Sequence, residues 1–164
     1  MKSQSPTEIL LVEDDPRDVE LTRRSLEKEK LCNTIHVVRD GAEALDFIFG
    51  RGAYQHRLDG PNPYLVLLDL KLPKVDGLEV LRQMKENSRT KMVPVIVLTS
   101  SREQKDLVES YRLGVNSYIQ KPVDFAQFQS AVKEIGLYWL LLNQVPAVES
   151  TPRAAPPVPA AAGN

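Results

Sequence analysis

Two short runs constrain the fold more than any other feature of this sequence, because every residue in them is apolar. They are Leu65–Leu68 and Val95–Leu98. A strand with one face in water alternates apolar and polar residues, whereas a run without that alternation is typical of a parallel strand buried on both faces. A sheet buried in this way needs helices on both sides. The two runs therefore predict an α/β domain.

The rest of the chain supplies the other elements of such a domain. Three further segments have strand-like composition, namely Glu8–Val12, Thr34–Val38 and Ser117–Gln120. Five segments have helical patterning, at about 16–29, 41–49, 77–87, 102–113 and 124–143. Strands and helices that alternate form right-handed βαβ units around a parallel sheet. We predict a doubly wound, flavodoxin-like sheet of five parallel strands in the order 2-1-3-4-5, flanked by five helices.

The 164 residues suit one domain with short extensions. We expect residues 1–6 to be an N-terminal extension and residues 7–143 to form the domain. Residues 144–164 are rich in proline and alanine and lack apolar periodicity, which is typical of a disordered tail. A tail of this size cannot build a second folded domain, so we expect no attached DNA-binding domain. Within the domain, the connection 50–63 is longer than is usual between a helix and a strand.

Composition excludes several kinds of function. The chain has 21 basic and 22 acidic residues, for a net charge of −1, so we expect no direct binding to nucleic acid. Its apolar runs are far shorter than the roughly 20 residues that span a bilayer, and no signal peptide is visible. We therefore expect a cytoplasmic protein without membrane contact. A single cysteine excludes an internal disulfide and a cysteine-rich zinc site.

Reactive side chains follow four of the predicted strands, at the point where each strand ends. The segments are Glu13-Asp14-Asp15, Asp69, Thr99-Ser100-Ser101 and Lys121-Pro122. In an open parallel sheet the functional site lies beyond the carboxyl ends of the strands, so these groups should gather at one edge. Each residue taken singly is more often a helix cap, a turn residue or a surface residue. Their conjunction at the ends of different strands favours a site.

The chemistry of this set favours phosphoryl transfer. Crowded carboxylates repel one another, and a hard divalent cation such as Mg²⁺ relieves that repulsion through oxygen ligands. A carboxylate beside the cation can act as a nucleophile toward phosphorus. A lysine ammonium and a threonine hydroxyl can contact other phosphoryl oxygens. Positioning and charge neutralisation supply most of the catalysis in such transfers.

The sequence around these residues resembles the receiver domain of two-component response regulators. The matching segments read ILLVEDD at 9–15, LLDLKLPKVDG at 67–77, PVIVLTS at 94–100 and YIQKP at 118–122. The resemblance implies that Asp69 is phosphorylated by a sensor histidine kinase. It implies that Glu13 and Asp14 form an acidic pair for Mg²⁺ with Asp69, and that the main-chain carbonyl of Lys71 is a further ligand. Asp15 is not expected to be a ligand.

The same resemblance implies how the signal is transmitted. Thr99 would be the switch hydroxyl, Lys121 the ammonium that pairs with the phosphoryl group, and Tyr118 the switch aromatic. The domain would catalyse only its own phosphorylation and dephosphorylation and would act on no other substrate. The output would be contact with another protein, through the face made by the fourth helix, fifth strand and fifth helix.

A narrower resemblance is to small response regulators that partner phytochrome-type histidine kinases. It depends on the loop 50–63, on the segment 113–124 and on the end of the last helix, YWLLL at 138–142. Positions 137 to 142 are apolar all round, more than one buried face requires. We predict a symmetric homodimer through this helix, with Tyr138, Trp139 and Leu142 at the interface. In the alternative, the tail folds back over the apolar patch.

Four other functions share part of this pattern. A degenerate receiver would act as a constitutive protein-binding module, and an active one could serve as a phosphate sink or relay. A phosphatase of the haloacid dehalogenase type would need a second acid two residues after the nucleophile, where this chain has Lys71. A nucleotide or flavin binder would need a glycine-rich or hydroxyl-rich cradle after a strand, whereas the first strand is followed by three acids.

Overall fold

The computed structural model describes residues 8–28 and 34–121 of the chain. Strands and helices alternate there as predicted. The strands are β1 (Glu8–Val12), β2 (Thr34–Val38), β3 (Leu65–Leu68), β4 (Val95–Thr99) and β5 (Ser117–Gln120). The helices are α1 (Pro16–Lys28), α2 (Gly41–Phe49), α3 (Gly77–Glu86) and α4 (Gln104–Arg112), with a short 3₁₀ helix at Gly52–Arg57. The predicted extension 1–6, fifth helix 124–143 and tail 144–164 lie outside the described residues.

The five strands form one parallel sheet in the order β2-β1-β3-β4-β5, which confirms the predicted flavodoxin-like topology. Val12 at the end of β1 lies beside Leu68 at the end of β3. Leu68 in turn pairs with Val97 of β4. The carboxyl ends of the three central strands therefore meet at one edge of the sheet.

Two hydrophobic cores lie on opposite faces of the sheet, as the uniformly apolar strands predicted. Alternate residues of β3 enter different cores, with Val66 and Leu68 on one side and Leu65 and Leu67 on the other. The first core is completed by residues of α2 and α3, including Phe47. The second core is completed by residues of α1. Because side chains alternate across a strand, a strand buried twice needs apolar residues at every position.

The helix that follows β3 begins at a well-defined cap. The Asp76 side chain accepts a hydrogen bond of 2.7 Å from the Leu78 main-chain N–H, which satisfies one of the free donors in the first turn of α3. Gly77, the first residue of α3, approaches the end of β3 so closely that its N–H donates to the Leu70 carbonyl at 3.0 Å. This contact holds the loop 71–76 against the edge of the sheet where the acids lie.

The connection 50–63 contains the 3₁₀ helix, which sequence patterning did not indicate. Its six residues include none that is buried, so it has no apolar periodicity. Polar contacts hold it instead: the Tyr54 hydroxyl donates to Glu43 at 2.7 Å, and Arg57 pairs with Glu8 at 3.0 Å. The Arg57 guanidinium also lies 4.0 Å above the Phe47 ring centroid. None of the helices within 8–28 and 34–121 is long and apolar enough to cross a membrane.

Candidate functional site

The hydrogen-bond ladder of the sheet extends one residue past three of its strands and places the site. The Asp69 N–H donates to the Val12 carbonyl at 3.0 Å, and the Glu13 N–H donates to the Val38 carbonyl at 3.0 Å. The Lys121 N–H donates to the Thr99 carbonyl at 2.7 Å. Because these backbones are held by the sheet, the side chains start from fixed points at its carboxyl edge.

Three acids meet there, as predicted. One carboxylate oxygen from each of Glu13, Asp14 and Asp69 lies within 4.8 Å of the others. Glu13 and Asp69 are buried, at 3% and 5% exposure, whereas Asp14 is exposed. A set of oxygen donors with one side open to solvent suits a hard divalent cation that keeps some of its water. The cluster is therefore compatible with a divalent metal site.

The Lys121 ammonium lies among the acids. Its Nζ is 2.5 Å from Glu13 Oε2 and 3.6 Å from Asp69 Oδ2. Burial raises the pKa of Glu13 to about 7, against the lowering effect of Lys121. Burial by itself would lower the pKa of Lys121, but the contacts with Glu13 and Asp69 outweigh it and leave that pKa above its ordinary value. Lys121 thus stays charged and offsets part of the carboxylate repulsion.

The two oxygens of the Asp69 carboxylate have different neighbours. Oδ1 accepts a hydrogen bond of 3.2 Å from the main-chain N–H of Lys71, and Oδ2 faces Lys121. These two contacts orient the carboxylate at the end of β3. An oriented carboxylate beside a cation and an ammonium can attack phosphorus, since both positive charges neutralise charge on the phosphoryl oxygens.

The two predicted switch residues lie on the strands beyond β3. Thr99 ends β4 and has no exposed surface, and its hydroxyl accepts from the Ser101 N–H at 3.2 Å. Tyr118 lies on β5 beside Val97 and packs against the first core, the one completed by α2 and α3. Its hydroxyl is buried and has no hydrogen-bond partner among the described residues. Burial raises the pKa of Tyr118, and the nearby charge of Asp106 raises it further.

The structure brings two further acids to this edge that sequence reasoning missed. Asp18, in the first turn of α1, lies 3.0 Å from Lys121 Nζ. Asp106, in the first turn of α4, is 5% exposed, accepts a hydrogen bond from the Ser101 hydroxyl and lies 3.4 Å from Lys71 Nζ. Ser101 is thereby held in the loop, so α4 begins at Gln104 and not at Arg102. The only sequence signal for them was position: each acid lies in the first turn of a helix that follows a strand carrying site residues.

The Lys71 main chain contacts Asp69 through its N–H, and the proposed ligand role of its carbonyl remains a prediction. Tyr138, Trp139 and Leu142, with the dimer they were predicted to form, lie outside the described residues.

Known proteins share this sequence and fold. The family model described as "Response regulator receiver domain" matches residues 9–133. Probable methanogenesis regulatory protein FilR2 from Methanothrix harundinacea (strain 6Ac) is 42% identical over 147 residues, which cover 89% of this chain and 92% of that protein. Response regulator Rcp1 from Synechocystis sp. (strain PCC 6803) is 38% identical over 146 residues, covering 89% of this chain and 97% of Rcp1.

Solved structures agree. The Mn²⁺-bound form of Rcp1 superposes with a TM-score of 0.78 at 39% identity, over 87% of this chain and all of that one. The bacteriophytochrome response regulator AtBRR is 54% identical, with a TM-score of 0.69, over 86% of this chain and all of AtBRR. The residues matched by the family model, 9–133, include the three acids, Thr99 and Lys121. This chain therefore belongs to the response regulator receiver domain family.

Proposed function

We propose that Asp69 accepts a phosphoryl group from the phosphohistidine of a sensor histidine kinase. The observation that carries this proposal is the Asp69 carboxylate itself, held at the end of β3 with one oxygen toward the Lys71 N–H and the other toward Lys121. An Asp69 oxygen forms the new bond to phosphorus as the P–N bond to the kinase imidazole breaks. The imidazole leaves as a neutral group once it takes up a proton, and the product is an aspartyl phosphate.

Glu13, Asp14 and Asp69 would hold Mg²⁺, with the main-chain carbonyl of Lys71 as a further ligand. Their exclusively oxygen donors support this metal over softer ones. When bound, the ion supplies positive charge beside the phosphoryl oxygens. Lys121 supplies a second positive charge, and the Thr99 hydroxyl supplies a hydrogen bond. The domain then catalyses its own phosphorylation and the hydrolysis of its own acyl phosphate, and it acts on no other substrate.

The signal leaves the site through Thr99 and Tyr118. A phosphoryl oxygen would draw the Thr99 hydroxyl away from the Ser101 N–H, and the space vacated would admit the Tyr118 ring. The buried Tyr118 hydroxyl supports this movement, since it gives up no hydrogen bond among the described residues when it moves. The neighbouring helix α4 exposes Val108 and Tyr111, which offer an apolar contact to a partner protein.

The kinase that fits best is of the phytochrome type. AtBRR, whose name states that association, is 54% identical to this chain. The similarity to FilR2 extends over 89% of the chain, slightly more than the 86% for AtBRR, so the same receiver chemistry also serves another pathway. The near-complete coverage of Rcp1 and FilR2 supports a regulator that consists of the receiver domain. The proposed location is the cytoplasm, and the proposed homodimer through the last helix rests on the apolar positions 137–142 of the sequence. Sedimentation of Trp139→Glu beside the parent tests the dimer, and equal masses for the two would refute it.

Intact mass measurement tests the central proposal. The protein is incubated with acetyl phosphate and Mg²⁺, beside Asp69→Asn and the matched control Asp76→Asn. Asp76 belongs to the same motif but caps α3, a role that asparagine also fills. We expect a Mg²⁺-dependent gain of one phosphoryl group in the parent and in Asp76→Asn, and none in Asp69→Asn. No gain in the parent, with acetyl phosphate or with a phosphorylated kinase, would indicate a constitutive binding module.

A further inference from the structure

Within residues 8–28 and 34–121, Lys121 has three carboxylate neighbours, and two of them belong to the acidic cluster proposed to hold the metal. Glu13 and Asp69 are members of that cluster. The third neighbour is Asp18, whose Oδ2 lies 3.0 Å from Nζ and accepts a hydrogen bond from it. Asp18 reaches the site from the first turn of α1, 103 residues away in sequence.

A bound cation would compete with Lys121 for Glu13 and Asp69, because both acids contact Lys121 and belong to the cluster. Glu13 and Asp69 cannot face a divalent ion with their full charge and remain equally close partners of Lys121. The Lys121 side chain is only 14% exposed, so it is costly to leave its ammonium without an anionic neighbour. Asp18 is 36% exposed and lies outside the cluster, so its carboxylate stays available whatever binds to the other two acids.

We propose that Asp18 is a positioning residue that holds Lys121 at the edge of the site while Glu13 and Asp69 bind a divalent cation. This inference rests on the proposed function, because it assumes that the acidic cluster takes such an ion. Asp18 acts through Lys121 and touches neither the metal nor the phosphoryl group. Removal of its charge leaves Lys121 with Glu13 and Asp69 alone, so the ammonium competes with the cation for both.

The affinity for Mn²⁺ measures this competition directly. The electron paramagnetic resonance signal of free Mn²⁺ is followed as metal is added to the parent and to Asp18→Asn. We expect Asp18→Asn to bind about fivefold more weakly, the change that corresponds to loss of one partly exposed charge pair. The conservative variant Asp18→Glu should recover most of the affinity.

A matched control separates this effect from a general loss of negative charge. Asp15→Asn removes the same charge from a carboxylate of similar exposure, 33%, whose side chain pairs with Arg17 and not with Lys121. We expect Asp15→Asn to change the Mn²⁺ affinity less than twofold. A loss in Asp15→Asn as large as that in Asp18→Asn would overturn the proposal.

The decisive test repeats the titration in a Lys121→Met background. If Asp18 acts through Lys121, Asp18→Asn has no further effect there; an undiminished fivefold loss would refute the inference. If the parent fails to bind Mn²⁺ at millimolar concentration, the proposed metal site fails instead. The link between Asp18 and Lys121 is then decided by a double-mutant cycle of urea unfolding in metal-free protein, in which additive single-variant effects refute it and non-additive effects support it.

Discussion

The contact between Gly77 and the end of β3 predicts a specific failure when alanine replaces that glycine. A Cβ atom at position 77 would lie 2.3 Å from the Asp69 carbonyl oxygen and 2.6 Å from the Leu70 Cα. Both are backbone atoms of the segment that carries the proposed phosphoacceptor, so neither can rotate aside. To reach even 3.0 Å, the start of α3 and the end of β3 must separate by about 0.7 Å.

The cost follows from this overlap. Overpacking of a closely packed site costs about 1–3 kcal/mol, and a rigid backbone places the substitution in the upper part of that range. Alanine is a better helix former than glycine, which returns up to about 1 kcal/mol, and less than that in the first turn. We expect Gly77→Ala to lower the free energy of unfolding by about 2 kcal/mol. Because Asp69 itself must shift, we also expect phosphorylation by acetyl phosphate to slow roughly tenfold.

Urea unfolding followed by circular dichroism measures the loss in stability, and intact mass over time measures the phosphorylation rate. Gly60→Ala is the matched control, since the nearest atom to its added Cβ lies 3.4 Å away. That variant should remain within about 0.5 kcal/mol of the parent and be phosphorylated at the parent rate. If Gly77→Ala unfolds at the same urea concentration as Gly60→Ala, the proposed close packing at the site is wrong.

Three further predictions concern buried polar groups. In metal-free protein the pKa of Glu13 is raised to about 7, so its contribution to stability is complete below about pH 4.5 and is lost as the pH rises through 7. Relative to Glu13→Gln, the parent should lose on the order of 2 kcal/mol of unfolding free energy over that interval. Saturating Mg²⁺ should abolish this pH dependence. Asp106→Asn should lower the pKa of Tyr118, because the Asp106 charge helps to raise it, and a tyrosine ¹³Cζ titration that shows no change would contradict this. Tyr54→Phe should cost about 1 kcal/mol in urea unfolding through loss of the bond to Glu43, and a neutral result would mean that the 3₁₀ helix is held by its other contacts.

The local sequence pattern was sufficient to predict the strands, the helices and the reactive side chains that follow the strands. Leu65–Leu68 is apolar at every position because both faces of β3 enter a core, and that property is visible in four consecutive letters. The position of Asp69 follows from it, since the residue after a central parallel strand lies at the carboxyl edge. The Asp76 cap found in the structure is equally local, because the Leu78 N–H from which its side chain accepts is only two positions away.

The local sequence pattern was insufficient to predict the conformation of segments that are stabilised by polar contacts. The 3₁₀ helix at Gly52–Arg57 buries none of its residues, so it has no periodic signal, and its contacts to Glu8 and Glu43 come from other elements. For the same reason, α4 begins at Gln104 and not at the predicted Arg102. Asp106 binds Ser101 and thereby keeps residues 101–103 out of the helix.

The sequence by itself therefore determined the sheet, the position of Asp69 and the types of group around it, because these depend on burial and on strand ends. Only the tertiary structure decided which acidic side chains lie beside each positively charged side chain. Lys121 meets Glu13 and Asp18 across more than 100 residues, and the distances depend on how the crossover helices place β1, α1 and β5 against one another. The raised pKa of Glu13 has the same origin, since burial is a property of the packed domain and not of any one segment.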